Sequence, residues 1–214
     1  YNKLFDIYND YDGINNIKTI NDNAGIQPVE VDPVIIEMLE EAKYFYDLSN
    51  GEFDVTIGAL LHVWHNYREE GITLNTNGEK GNVPTLDELE NASINKGWNH
   101  VLIDTEKNTV YIDDTHISLD VGGIAKGFAT EKIAQSLESE GITTGAINAG
   151  GNNRTLGQKY DGSAWRVGIQ NPKGSDSILV VNMDGKCSFV TSGDYERYYE
   201  ATDGNKYHHI IDPE

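Results

Sequence analysis

Two charged residues and a pair of glycines lie close together in the segment SLDVGGIAKGFATEKIA, residues 118–134. Asp120 and Lys126 are separated by Gly122-Gly123 and two short apolar stretches. Glycine in a regular element costs about 0.5–1 kcal/mol relative to alanine, and a lysine in the first turn of a helix opposes the helix dipole. Both features are explained if main-chain amides, the positive helix end and the lysine meet an anion, with phosphate as the first candidate.

The alternative for this segment is a tight strand-to-helix turn with a solvated lysine, and the glycine pair alone does not decide between the two. The order Lys-Gly-Phe differs from the G-x-x-x-x-G-K-[ST] of a Walker loop. The glycine spacing also differs from the G-x-G-x-x-G of a dinucleotide-binding turn.

Three later segments contain residue types that suit anion binding or proton transfer. NAGGNNR (148–154) places a second glycine pair beside an arginine, although a hairpin turn would need the same glycines. TSGDYERYY (191–199) alone predicts a turn. YHHIIDP (207–213) begins an apolar run with His208 and His209, which strand alternation would direct to opposite faces. A single inward histidine is more often a core residue than a catalyst.

Helices and antiparallel strands must position these segments. Asp32 is a natural N-cap for a helix over 32–51, with apolar residues recurring every three or four positions. Thr85 and Glu88 have the spacing of a capping box at the start of another helix. Short alternating runs joined by turns fill much of the remainder, including a strand that ends near Leu119. This pattern predicts an α+β fold, an antiparallel sheet with packed helices.

A further helix is predicted after FDVT and contains Trp64, which we expect in the core. His62 and His65 lie three positions apart on it, which is compatible with one helix face. No third ligand accompanies them, so a metal site is not expected there.

The composition is strongly acidic, with 35 Asp and Glu against 16 Lys and Arg and a net charge of −19. A nucleic-acid-binding protein would show a basic face, so that role is not expected. An anionic small molecule needs local positive charge from a helix start, a lysine or a divalent cation.

The motifs LDVGGIAKGFATEKIA, INAGGNNRTLG, VTSGDYERYY and YHHIIDP occur in this order, and together they resemble the ApbE-like FAD:protein FMN transferases. GEFDVTIGALLHVW is similar to the family's FDxTxGPLxxLW element. Each motif is weak alone, but the set is specific and extends from about residue 9 to the end. The resemblance implies an ApbE-like, T-fold-like architecture in which residues 1–214 belong to a single flavin transferase domain.

The resemblance also implies an enzyme that cleaves the FAD diphosphate with Mg²⁺. FMN would be joined to a threonine or serine hydroxyl of a target flavoprotein, and AMP would leave. On matching positions, Asp120, Lys126 and Tyr207 would bind FAD, and the carbonyl of Gly123 would be a magnesium ligand. His209 would be catalytic, either as a base toward the incoming hydroxyl or through the metal site.

Two departures from the family pattern affect the metal. Asn152-Asn153 stand where aspartate is common. The family's Asp-x-x-x-Thr metal element lies downstream of HHIIDP, beyond Glu214. We therefore expect a fragment trimmed at both ends, without the family's C-terminal part, that binds metal weakly or not at all and has little transferase activity.

The resemblance places the parent protein outside the cytoplasm, anchored to the cell membrane as a lipoprotein through a lipid group that this chain lacks. Its expected partners are FAD and the target flavoprotein, with no nucleic acid. Two alternatives stay open. One is an FAD pyrophosphatase or an FAD-binding protein without transfer, and the other is a non-catalytic module whose glycines only form turns.

Overall fold

The computed structural model describes residues 1–212 of the chain. Pro213, the last residue of the YHHIIDP motif, and Glu214 lie outside the described residues. The chain divides into two compact units: unit 1 comprises Tyr1–Ile124 and Glu196–Glu214, and unit 2 comprises Ala125–Tyr195. The assignment of residues 1–214 to a single flavin transferase domain stays a prediction.

The described residues form helices and short antiparallel strands. The helices are α1 (Ile17–Asp22), α2 (Pro33–Leu48), α3 (Gly58–Thr76), α4 (Leu86–Ser93) and α5 (Ala125–Ser139), with a 3₁₀ turn at Trp98–His100. The strands are β1 (Val29–Glu30), β2 (Val101–Asp104), β3 (Thr109–Ile112), β4 (Ala146–Ala149), β5 (Asn152–Thr155), β6 (Trp165–Gln170), β7 (Ser177–Met183), β8 (Ser188–Val190), β9 (Tyr199–Glu200) and β10 (Lys206–Tyr207).

The core of unit 1 is built around α2. Its N-cap Asp32 accepts a hydrogen bond from the amide of Val34, and Pro33 occupies the first turn, as the sequence predicts. The apolar stripe of α2 is almost completely buried and includes Ile35, Met38, Leu39 and Ala42.

Two small antiparallel sheets complete unit 1. One has the order β1-β3-β2, and the other pairs β9 with β10. α4 begins with the predicted capping box, in which Thr85 and Glu88 exchange side-chain and main-chain hydrogen bonds.

Unit 2 combines α5 with a three-stranded sheet of order β4-β5-β8 and the hairpin β6-β7. The helix packs against β4 and β5, and its buried residues are Phe128, Thr130 and Ala134. The apolar spacing of this helix also predicts Ile133 on the core face, but the residue is 42% exposed.

The α+β class and the antiparallel pairing are confirmed, with the described strands divided among four small sheets. None of the helices within residues 1–212 has both the length and the apolar character needed to cross a bilayer.

Candidate functional site

The segment before Gly122-Gly123 differs from its prediction. A strand was expected to end near Leu119, but residues 117–120 make only an isolated bridge, between Ser118 and Ile57. The side chain of Asn21 explains this: its amide nitrogen donates to the Leu119 carbonyl at 2.9 Å, and its oxygen accepts from the Leu119 amide at 2.8 Å. A side chain from α1 thus takes the place of a neighbouring strand.

The FDVT and DVGG motifs are brought together by this arrangement. The amide of Asp120 donates to the carbonyl of Val55 at 2.8 Å, and the amide of Gly58 donates to the carbonyl of Ser118 at 3.0 Å. A Cβ at Gly58 would lie 2.5 Å from that carbonyl oxygen, so only glycine permits the approach. Two segments more than 60 positions apart are therefore fixed against each other in unit 1.

The glycine pair at 122–123 is not required by backbone conformation, since neither residue has a positive φ. Half-buried Asp120 instead closes a small turn, because its Oδ1 accepts the Gly122 amide at 2.8 Å. Gly123 lies against an aromatic ring: a Cβ there would be 3.1 Å from Cε2 of Phe53. Both glycines remain exposed, so the main chain of this bend is accessible to a ligand.

The second glycine pair has a different explanation. Gly150 and Gly151 have φ values of 57° and 93° and connect β4 to β5, as a two-residue hairpin turn requires. The nearby Arg154 is buried and donates from Nε to Glu131 at 2.6 Å. Burial of a salt-bridged arginine beside a hairpin turn supports a structural role for this segment, the alternative that the sequence had left open.

Three neighbouring side chains of unit 1, two of which are influenced by the charge of Asp120, were not identified from the sequence as part of this site. The ring of Tyr8 stacks on that of His65 with centroids 4.7 Å apart, and Nη2 of Arg68 donates to His65 Nδ1 at 2.8 Å. Partial burial, then the negative charge of Asp120, raise the pKa of Tyr8. Burial, then the charge of Arg68, lower the pKa of His65. One signal was available: His65 and Arg68 lie one turn apart on a predicted helix.

Tyr207 lies in β10 within a stack of aromatic rings. Its ring centroid is 5.2 Å from that of Trp64 and 5.8 Å from that of Tyr199. Its hydroxyl donates to Asp203 at 2.7 Å, and this hydrogen bond is the main cause of its raised pKa. Trp64 is half-buried rather than fully buried, and it joins α3 to the strand that carries Tyr207.

The strand expected over 207–213 ends at Tyr207. The following main chain turns, and the amide of Ile210 donates to Nδ1 of His208 at 3.2 Å. His208 and His209 are both half-buried, so the alternation expected of a strand does not separate them. The catalytic role of His209 and the flavin contact of Tyr207 stay predictions.

Helix α3 links the predicted residues of unit 1. Trp64 reaches Tyr207, which is two positions before His209, and the next residue, His65, reaches Tyr8. Lys126 belongs to unit 2, where it is exposed in the first turn of α5. Its position at a helix start is the one predicted, and its contact with FAD stays a prediction.

A divalent cation needs several oxygen ligands. Within residues 1–212, no group of three or more His, Cys, Asp and Glu side chains is arranged to hold a metal ion. The exposed main chain at Gly123 could supply one carbonyl, but the described side chains do not complete a magnesium site.

Comparisons with known proteins agree with the motif resemblance. The model of the ApbE family matches residues 1–214. A curated Treponema pallidum protein named FAD:protein FMN transferase is 35% identical over 212 residues, covering 92% of this chain and 55% of the relative. The chain thus spans little more than half the length of that relative.

Solved structures show the same similarity. The crystal structure of an ApbE protein from Thermotoga maritima matches with a TM-score of 0.80 and 34% identity, over 99% of this chain and 64% of that one. The flavin transferase ApbE from Vibrio cholerae matches with a TM-score of 0.74 and 28% identity, over 99% and 63%.

Proposed function

Because this chain belongs to the ApbE family, we propose that it is the flavin-binding part of an FAD:protein FMN transferase. The meeting of the FDVT and DVGG motifs around Asp120 and Gly123 is the observation that supports this most strongly. Hydrogen bonds with Val55 and Asn21 hold the chain where it enters this exposed bend, which directly precedes the helix that carries Lys126.

The proposed reaction joins FMN to a threonine or serine hydroxyl of a target flavoprotein. The hydroxyl oxygen attacks the phosphorus on the FMN side of the FAD diphosphate, the bond from that phosphorus to the bridging oxygen breaks, and AMP leaves with that oxygen. The hydroxyl proton passes to a base, for which His209 is the proposed group. A magnesium ion, when bound, would neutralise charge on the phosphate oxygens.

The residues of this chain would mainly bind and orient FAD. Lys126 and the first-turn amides of α5 supply positive charge for the diphosphate. Asp120 holds the bend through Oδ1, which leaves Oδ2 to accept a hydrogen bond from the ligand. Tyr207 already stacks with two rings, so its proposed flavin contact would use the remaining ring surface or the hydroxyl.

The cellular setting is part of the same proposal and is supported by the family resemblance alone. The parent protein would be a lipoprotein outside the cytoplasmic membrane, and its acceptor would be an exported flavoprotein. Magnesium dependence is supported in the same way, with the side-chain ligands supplied from outside residues 1–212.

The test uses the full-length parent protein with FAD, Mg²⁺ and an acceptor flavoprotein. His209→Gln should lower the rate of covalent FMN attachment by about 10²–10⁴-fold, the usual contribution of a general base, and leave FAD affinity nearly unchanged. Attachment is measured by the mass of the acceptor and affinity by calorimetry. His116→Gln is the matched control, since that side chain is 72% exposed.

Other outcomes would contradict the proposal. Release of free FMN and AMP at equal rates with and without acceptor would indicate an FAD pyrophosphatase. Binding of FAD without turnover would indicate a binding protein, and no binding would indicate a non-catalytic module. Equal transfer by the 214-residue chain and the full-length protein would contradict the expectation that essential metal ligands lie elsewhere.

A further inference from the structure

We propose that Arg68 binds a phosphate group of the FAD diphosphate and that His65 positions it for this role. The identity of the ligand depends on the function proposed above. The anion-binding role of Arg68 depends on its own contacts in unit 1.

Arg68 is a largely buried cation whose hydrogen-bond donors are incompletely used. Its side chain is 15% exposed, and its Nε is buried without a hydrogen-bond partner among residues 1–212. Its ion pair with Glu69 spans 3.6 Å, beyond hydrogen-bond distance, and the Glu69 side chain is 59% exposed. A buried donor left unsatisfied costs about 1–3 kcal/mol. The guanidinium is thus incompletely paired within the described part of the chain, and a ligand would reach it at the part of the side chain that is exposed.

Arg68 lies in a strongly acidic unit, yet its ion pair with Glu69 is longer than a hydrogen bond. Unit 1 contains 28 Asp and Glu residues against nine Lys and Arg, whereas unit 2 contains seven of each. Some other cations of unit 1 have carboxylates within hydrogen-bond distance, as in Lys18–Asp22 at 2.5 Å and Lys43–Asp47 at 2.6 Å, whereas Lys206 lies 3.7 Å from Glu200. Arg68 therefore keeps hydrogen-bonding capacity that an anionic ligand could use.

His65 fixes the direction of the guanidinium. Its Nδ1 accepts the hydrogen bond from Arg68 Nη2 at 2.8 Å, which requires that this nitrogen be unprotonated. Stacking on Tyr8 at 4.7 Å holds the imidazole ring in place. Burial and the charge of Arg68 lower the pKa of His65, which favours the neutral ring that accepts from the guanidinium.

The same neighbourhood includes the predicted flavin-binding carboxylate. Asp120 influences the pKa of both Tyr8 and His65 through its charge. An anionic ligand approaching Asp120 would gain from a further cation besides Lys126, and Arg68, which donates to His65, is the one we assign. A guanidinium is suited to this because its planar fork matches two oxygens of one phosphate group.

Calorimetric titration of the 214-residue chain tests the inference with three ligands: FAD, ADP and riboflavin, which has no phosphate. Arg68→Gln should weaken binding of FAD and ADP by about 10–100-fold, because a hydrogen bond to a charged group contributes about 1.5–3 kcal/mol. Riboflavin binding should be unchanged. Arg68→Lys should be intermediate, since it keeps the charge and loses the fork. Arg166→Gln, at an exposed arginine of unit 2, is the control.

Arg68→Gln and Arg68→Lys proteins that bind FAD and ADP as the wild type does would overturn the inference. An equal loss of riboflavin affinity would do the same, since it would show a structural role. If the wild type binds ADP but not FAD and Arg68→Gln weakens ADP, the role of Arg68 stands and the flavin transferase proposal fails. A wild type that binds none of the phosphorylated ligands overturns both.

Discussion

At the scale of single residues, the candidate site depends on side chains that perform two tasks. Asp120 shapes the main chain by accepting the Gly122 amide and is also the carboxylate proposed to contact FAD. His65 packs on Tyr8 and accepts a hydrogen bond from Arg68. Any change in the charge of such a group therefore affects folding and binding together.

His65 makes stability depend on pH in a defined direction. Its pKa in the folded chain is lowered from the ordinary 6.5 by burial and by Arg68 and His62, against the opposing charges of Glu69 and Asp120. Tyr8, stacked on the ring, is the other titratable neighbour. The folded state therefore binds fewer protons than the unfolded state below about pH 6.5, and the free energy of unfolding should fall as the pH is lowered through this range.

Urea unfolding at pH values between about 7.5 and 5.5 would measure this effect, since the range spans the ordinary histidine pKa. The wild type should lose more stability over the range than His65→Gln, whose amide does not titrate. His116→Gln, at an exposed position, should follow the wild type. Identical pH profiles for the wild type and His65→Gln would show that His65 does not contribute.

At the scale of elements, α3 organises unit 1 because residues along it contact separate parts of the chain. Trp64 and His65 reach β10 and the N-terminal segment, and Gly71 receives the ring of Tyr199 from β9. Tyr199 is fully buried, and its hydroxyl donates to the carbonyl of Asn82 at 2.8 Å. Close packing of this ring on a helix requires a residue without a side chain.

Gly71→Ala should therefore destabilise the chain, although alanine is favoured over glycine in helices by about 1 kcal/mol. Its Cβ would overlap the Tyr199 ring, and such overpacking typically costs about 1–3 kcal/mol. Thermal unfolding should show a lower midpoint than that of the wild type.

Gly127→Ala is the matched control within α5. A Cβ there meets only Asn152 Oδ1, at 3.9 Å, so the variant should gain about 0.5–1 kcal/mol from helix propensity. Equal effects of the two substitutions would mean that packing on Tyr199 does not govern the response at Gly71.

At the scale of the whole molecule, local features could be predicted from the sequence and distant pairings could not. The starts of α2 and α4 were predictable because the side chains of Asp32 and Thr85 accept hydrogen bonds from amides only two or three positions further along the chain. The segment before Asp120 was not, because its hydrogen-bond partner, Asn21, lies about a hundred positions away. Arg68 was missed for the same reason. The histidine that accepts its hydrogen bond, His65, is held by stacking on Tyr8, which belongs to the irregular N-terminal segment.

Charge is also divided unequally at this scale. Unit 2 is neutral in formal charge, so the net −19 falls on unit 1. Repulsion within unit 1 should therefore exceed the gain from its surface ion pairs, which contribute about 0–1 kcal/mol each.

Raising NaCl from about 0.02 to 0.5 M, which shortens the screening length to a few ångströms, should stabilise unit 1. Hydrogen exchange of its amides should slow, while amides of unit 2 in the same sample should change little. Equal slowing in both units would mean that the acidic residues of unit 1 do not limit its stability.

The stack of Trp64 on Tyr207 gives the protein an intrinsic optical reporter. Indole emission responds to what lies against the ring, and Tyr207 is two positions from the proposed base. The chain has three tryptophans, so replacing Trp98 and Trp165 with phenylalanine would leave Trp64 as the single emitter. Events at the histidine pair could then be followed in real time without attaching a dye.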